Sequence, residues 1–193
     1  MDEHQGWHSR GYLPHLDAGG VTQFITFRLG DSLPQGILQE LELLEQSGST
    51  GAIERYEKTQ YYLDQGHGSC ILREPQSALI VQDALKFLDG KRFELLEWVV
   101  MPNHVHFLAR FIEGRSLSKA LHSLKSFTSN ELGAIHPEVR PIWQTESFDR
   151  YIRSEDHYWH VVRYIRENPV KARLAKSPEQ FPRSSASKTE RED

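Results

Sequence analysis

Hydrophobic and polar positions mark three strands along this chain. Residues 21–29 (VTQFITFRL) are β-branched and aromatic with partial alternation and predict the first. Residues 92–101 (RFELLEWVVM) and 104–112 (HVHFLARFI) predict two more, with Pro102 and Asn103 turning the chain between them into an antiparallel pair. The other segments read as helices. Residues 36–46 are rich in Leu and Glu; Gly48 breaks that pattern, and Ser49 or Thr50 opens a second helix to about residue 65. Glu74 and Pro75 open a third, with Pro in its favoured first turn, and Asp89-Gly90 ends it. A fourth spans residues 117–132 and stops at Gly133. Residues 137–150 predict irregular structure or a short strand, and Ser154 caps a last helix reaching Glu167 or beyond. No internal repeat occurs. This order predicts an α+β fold, with helices over one face of a central antiparallel sheet.

Composition sets bounds on this picture. A length of 193 residues with 38% hydrophobic positions suits one domain. We expect that domain over residues 1–175, with 36–66 as a helical insertion and the Ser-, Lys- and Glu-rich residues 176–193 as a flexible tail. No run of about 18 apolar residues is present, so no membrane span is expected. The polar start lacks the apolar core of a secretory signal. The single cysteine, Cys70, cannot form an internal disulfide, which fits a reducing, cytoplasmic compartment. The net charge of −4 argues against a uniformly basic nucleic-acid binder, but its distribution is uneven. Residues 36–66 hold two basic against six acidic groups, whereas residues 140–176 hold eight basic against five acidic. The acidic insertion is therefore expected to lie away from any DNA-binding face.

Two segments carry chemistry. In WVVMPNHVHF, His104 and His106 are two apart on a predicted strand, so both imidazoles point to one side while Val105 and Phe107 point to the other. Such a pair is half a metal site or a pair of phosphate contacts, and on spacing alone more often a pair of surface or packing histidines. In the helix HYWHVVRYIREN, His160, Tyr164 and Asn168 follow i, i+4, i+8 spacing and lie along one face. A tyrosine there is a half-buried aromatic or a nucleophile; with an ordinary pKa of about 10, the phenol needs a nearby base or cation to react.

Several motifs in order carry a resemblance. MPNHVHF resembles the HUH motif of single-tyrosine transposases, with Val105 as the bulky middle residue, and YIRENPVKA resembles the tyrosine-helix motif of the REP-associated tyrosine transposases. RGYLPH, QFITFRL, SLKSFTSN and IWQTESFDRYIRSEDHY are similar to that group's opening and middle, so the likeness spans about residues 10–183. The resemblance implies a ferredoxin-like sandwich of the HUH nuclease type. It implies Tyr164 as nucleophile, His104 and His106 as ligands of Mg²⁺ or Mn²⁺, and Asn168 as a third ligand. It also implies cleavage of single-stranded DNA beside a hairpin through a 5′-phosphotyrosine, with strand transfer by the free 3′-OH.

His160 is a candidate to support that site. Lys125, Arg150, Arg153, Arg163, Arg166 and Lys171 are candidates to contact the DNA backbone, each adding roughly 0.7 log unit of salt dependence per log salt on single strands. Trp143 and Phe148 are candidate base-stacking or core residues. A protein of this kind is expected near the nucleoid and, on balance, as a monomer. The chain also departs from the pattern: Arg173 stands where relatives often carry Gly. The alternatives from other classes are a hairpin-binding protein that does not cut and a metal-dependent hydrolase that forms no adduct.

Overall fold

The structure, a computed structural model, describes residues 6–9, 14–17, 20–45 and 48–187. Residues 1–5, part of the RGYLPH motif (10–13) and the last part of the expected tail (188–193) lie outside the described residues. Two short strands, β1 (Gly6–Ser9) and β2 (Pro14–Asp17), pair as an antiparallel ribbon.

Four strands build the central sheet: β3 (Thr22–Arg28), β4 (Phe93–Val100), β5 (His104–Phe111) and β6 (Phe148–Tyr151), in the order β4-β5-β3-β6. All neighbours are antiparallel, so the predicted β4–β5 hairpin is present, and β3 inserts beside β5 with Thr26 opposite His106. The helices are α1 (Gln35–Glu45), α2 (Gly48–Asp64), α3 (Pro75–Leu88), α4 (Leu117–Ile135) and α5 (Glu155–Lys171). Ser116 and Ser154 cap α4 and α5 by accepting from the backbone N–H three residues on, which satisfies an otherwise orphaned donor. Helix α4 runs two residues past Gly133, beyond the predicted stop. Gly30 is needed for close approach: a Cβ there would sit 2.4 Å from the Pro141 carbonyl oxygen.

The sheet is covered on both faces, not one. Val105, Phe107, Ala109 and Phe111 of β5 point into a core built with α3 and α4. Leu108 points to the other side, where Val161, Val162 and Ile165 of α5 pack over Phe24 and Val99. The third layer follows from period-2 alternation in β5: an apolar set on one side leaves His104, His106 and Leu108 on the other, and that face needs its own cover.

The expected flexible tail is packed as far as Ser187. Its backbone pairs with the outer edge of β4, through Val100 N–H to the Arg183 carbonyl (2.9 Å) and Ser185 N–H to the Trp98 carbonyl (3.0 Å). Phe181 and Ala186 are buried there. Two apolar anchors and an open strand edge outweigh the polar composition that suggested fraying.

Candidate active site

Strand alternation brings the two histidines to the α5 side of the sheet, where both are fully buried and their rings are 4.6 Å apart. A second polar group fixes each ring. His104 Nδ1 lies 2.8 Å from Asn103 Oδ1, and the Asn103 amide is itself oriented by donating to the His67 carbonyl. A carboxamide oxygen only accepts, so His104 carries its proton on Nδ1 and presents a lone pair on Nε2. His106 Nδ1 is held by Thr26 Oγ1 at 2.7 Å across the β3–β5 register. Burial keeps both imidazoles neutral. It holds the His104 pKa at about 3, and burial reinforced by His104 holds that of His106 well below its ordinary value.

Helix α5 lays Tyr164 over this pair. Its hydroxyl is 3.5 Å from His106 Nε2, and its ring packs edge-on against His106 and Phe24. One turn on, Asn168 is fully buried. Neither of its amide atoms, nor His104 Nε2, has a partner in hydrogen-bond geometry, although Asn168 lies close enough to the Asp64 carboxyl and the Tyr164 phenol to pull both pKa values down. Buried polar atoms without partners are costly, and three together around a tyrosine and an imidazole mark a place built for a ligand.

The remaining wall is α2. Tyr56, Gln60 and Asp64 repeat at i, i+4, i+8 and face the α5 stripe. Tyr164 donates to Gln60 Oε1 at 2.9 Å. The Asp64 carboxyl is pushed up to about 6, by burial first, against the opposing pull of Lys171. Burial also raises the Tyr164 phenol well above its usual range, with Tyr56 and Asp64 adding to the shift.

The acidic insertion thus lies on the site, contrary to the sequence expectation. Its charge is turned outward: Glu40, Glu42, Glu54 and Glu57 are exposed, Glu40 paired with Lys58, while the inward stripe carries a phenol, an amide and one perturbed acid. Tyr56, Gln60, Asp64, Thr26 and Asn103 were all missed in the sequence. Only the i, i+4, i+8 repeat in α2, the same as in α5, could have pointed to the first three.

The other candidates fall in different places. His160 is exposed and acts electrostatically on His157. Arg166 forms a two-point ion pair with buried Glu97, through Nε at 3.1 Å and through Nη2. Lys125 donates to the carbonyls of Gln144 and Thr145, at 2.9 and 3.0 Å. Lys171 Nζ is 5.4 Å from the centre of the Tyr164 ring, and Arg150 acts electrostatically on Tyr56, so these two are nearest the cluster. Arg150, Arg153 and Arg163 are exposed. Trp143 is a core residue, donating to Thr128, and Phe148 stacks on Tyr56 at 4.1 Å.

With the histidine pair and the tyrosine in one cluster, comparison with known proteins becomes informative. The family described as Transposase IS200 like matches residues 79–168, which hold both histidines, Tyr164 and Asn168. A REP-associated tyrosine transposase of Escherichia coli (strain K12) is 30% identical over 99 residues, covering 51% of this chain and 57% of that protein. An uncharacterised protein of Haemophilus influenzae is 27% identical, with 38% of this chain and 53% of that protein covered. The match thus spans little more than half the length of either relative. Among solved structures, a REP-associated tyrosine transposase bound to a REP hairpin superposes with a TM-score of 0.53, at 22% identity, over 92% of this chain and 81% of that one. The fold is shared with that transposase.

Proposed function

We propose that this protein is a metal-dependent single-stranded DNA endonuclease and strand transferase that acts beside hairpin DNA through a 5′-phosphotyrosine on Tyr164. The observation that carries the reading is the Tyr164 hydroxyl 3.5 Å from His106 Nε2, in a buried cluster with two unpartnered ligand groups. The IS200-like match and a structural neighbour bound to a REP hairpin support DNA as the partner.

The residues present fit a divalent ion. His104 and His106 are neutral, held through Nδ1 with Nε2 turned to the cluster, and the Asn168 amide oxygen is unpartnered. Among the described residues no third His, Cys, Asp or Glu completes a site with them, so Asn168 is the third donor of this reading. Two imidazoles and one amide oxygen suit Mn²⁺ better than Mg²⁺, which prefers oxygen. When bound, the ion would polarise the scissile phosphate as a Lewis acid.

The chain's own residues do the rest. Gln60 and the Phe24 ring hold the phenol in one orientation, which lowers the entropic cost of attack. The Tyr164 oxygen bonds to phosphorus as the bond from phosphorus to the 3′ oxygen breaks. The phenolic proton is released, and the leaving 3′ oxygen takes one up. The diester bond energy is kept in the phosphotyrosine, so a 3′-OH can attack back and free Tyr164. Exposed Arg150, Arg153, Arg163 and Lys171 are the backbone contacts of this reading.

The test is an adduct assay with end-labelled hairpin oligonucleotides carrying single-stranded flanks and Mn²⁺ or Mg²⁺. A denaturation-resistant, metal-dependent adduct absent in Tyr164→Phe is expected. Cleavage that persists without an adduct in Tyr164→Phe would sink the mechanism in favour of a hydrolase, and tight hairpin binding without cleavage would favour a non-cutting binder.

A further inference from the structure

A cavity of about 240 Å³ opens between the α1–α2 hairpin and strands β3 and β6. It is continuous with the tyrosine cluster, because two of its lining residues belong to both: Thr26 holds His106, and Gln60 holds Tyr164. Arg28 and Arg55 also line it. Thr26 and Arg28 are two apart on β3, so the Arg28 side chain leaves the sheet on the same face as Thr26 and the histidines.

Arg28 is poorly compensated. Its guanidinium donates only to a backbone carbonyl (Leu29, 3.4 Å) and a hydroxyl (Ser32, 3.1 Å), and among the described residues it has no carboxylate partner. Burial, and then the like charge of Arg55, draw its pKa down to about 10. A half-buried cation beside a second cation calls for an anion. The glutamates that also line the cavity, Glu42 and Glu146, make no ion pair with it. On the far side, Phe148 and Tyr56 stack at 4.1 Å and give the cavity an aromatic wall.

We propose that this cavity is a phosphate subsite for the single strand, in which Arg28 and Arg55 hold the backbone phosphate next to the scissile one while the Tyr56–Phe148 wall carries the adjoining sugar or base. The guanidinium fork matches two phosphate oxygens, and stacking on an aromatic wall is tolerant of base identity. The α1–α2 insertion then contributes half of the substrate cleft: it supplies Arg55 and Tyr56, turns Glu40, Glu54 and Glu57 outward, and leaves Glu42 at the cavity. The subsite rests on the DNA-cleaving reading above.

The experiment measures binding of single-stranded oligonucleotides by the whole protein as a function of salt, for wild type, Arg55→Gln and Arg28→Gln. Each variant is expected to bind about tenfold more weakly and to lose part of the roughly 0.7 in the slope of log affinity on log salt that one shared phosphate contact supplies. A single neutral methylphosphonate, walked along the strand, should weaken binding to wild type at one position beside the cleaved bond and cost less at that position in Arg55→Gln than in wild type. Should Arg28→Gln not fold, Arg55→Gln, on the outer helix, reads the same contact. Unchanged affinity and slope, with the Tyr164 adduct still forming, would overturn the subsite and leave the cleavage reading standing. Absence of both adduct and single-strand binding in wild type would overturn both.

Discussion

Gln60 and Tyr164, 104 residues apart in the chain, share a hydrogen bond of 2.9 Å from the phenol to the amide oxygen. Gln60 holds the nucleophile's proton without being basic enough to remove it. Gln60→Leu frees the phenol to rotate and is expected to slow adduct formation about tenfold, the value of one well-placed hydrogen bond. Oligonucleotide affinity should change less than the rate. Single-turnover adduct formation measures it; an unaltered rate would show that the Phe24 ring alone positions the phenol.

Asp64 adds negative charge near the phenol and is one cause of its raised pKa, after burial and Tyr56. Asp64→Asn removes that charge and leaves the shape. The alkaline limb of the pH–rate profile is expected to move to lower pH by about half a unit to one unit. A shift the other way would mean that Asp64 takes the phenolic proton itself.

Glu97 is 6% exposed and is satisfied by Arg166 and by Ser185 at 2.6 Å. Arg166→Ala leaves that carboxylate without its cation, and a loss of about 3 kcal/mol in unfolding free energy is expected. Denaturant titration measures it. Restoring stability with Glu97→Gln in the same chain would confirm the cause; a loss unmoved by the second change would contradict it.

Without metal, the protein is expected to lose stability as pH falls below about 6.5. His104 in the fold has a pKa of about 3 and His106 one well below 6.5, whereas in the unfolded chain both titrate near 6.5. Below that value the unfolded state takes up protons that the folded state refuses, at up to ~1.4 kcal/mol per pH unit for each histidine. Asp64 acts with opposite sign between 3.8 and about 6, since there the folded state holds its proton more tightly. The net is about one proton, hence a slope near 1.4 kcal/mol per unit between about pH 6 and 4. Urea midpoints in a chelating buffer measure it, and a flat midpoint from pH 7 to 5 would rule out neutral burial of the pair.

Arg173, whose place the family resemblance reads as a glycine position, has φ of 58°, in the left-handed region. The helix exit keeps a glycine-like turn and forces an arginine into it. Arg173→Gly is expected to raise stability by about 1 kcal/mol, seen as a higher melting temperature. No gain would mean that the arginine's own contacts offset the backbone strain.

The strand pair, the histidine alternation and the α5 stripe were legible because period-2 and period-3.6 patterns are local, and each leaves its mark within ten residues. The α2 wall was not. Tyr56, Gln60 and Asp64 read as an ordinary solvated face until the hairpin's docking direction is known, and a regional excess of acids pointed the wrong way by averaging an outer face with an inner one. Arg166 and Lys125 read as free cations because their partners, Glu97 and the carbonyls of Gln144 and Thr145, lie on other elements.

The last described segment also covers an open border of the sheet. Strand β4 ends the sheet, and Arg183 and Ser185 occupy its outer hydrogen-bonding positions. An uncovered edge as apolar as FELLEWVV is a template for another chain's strand. A few serines and one phenylalanine therefore act as a guard rail: a chain cut after Ala175 keeps every residue of the tyrosine cluster and gains a sticky border.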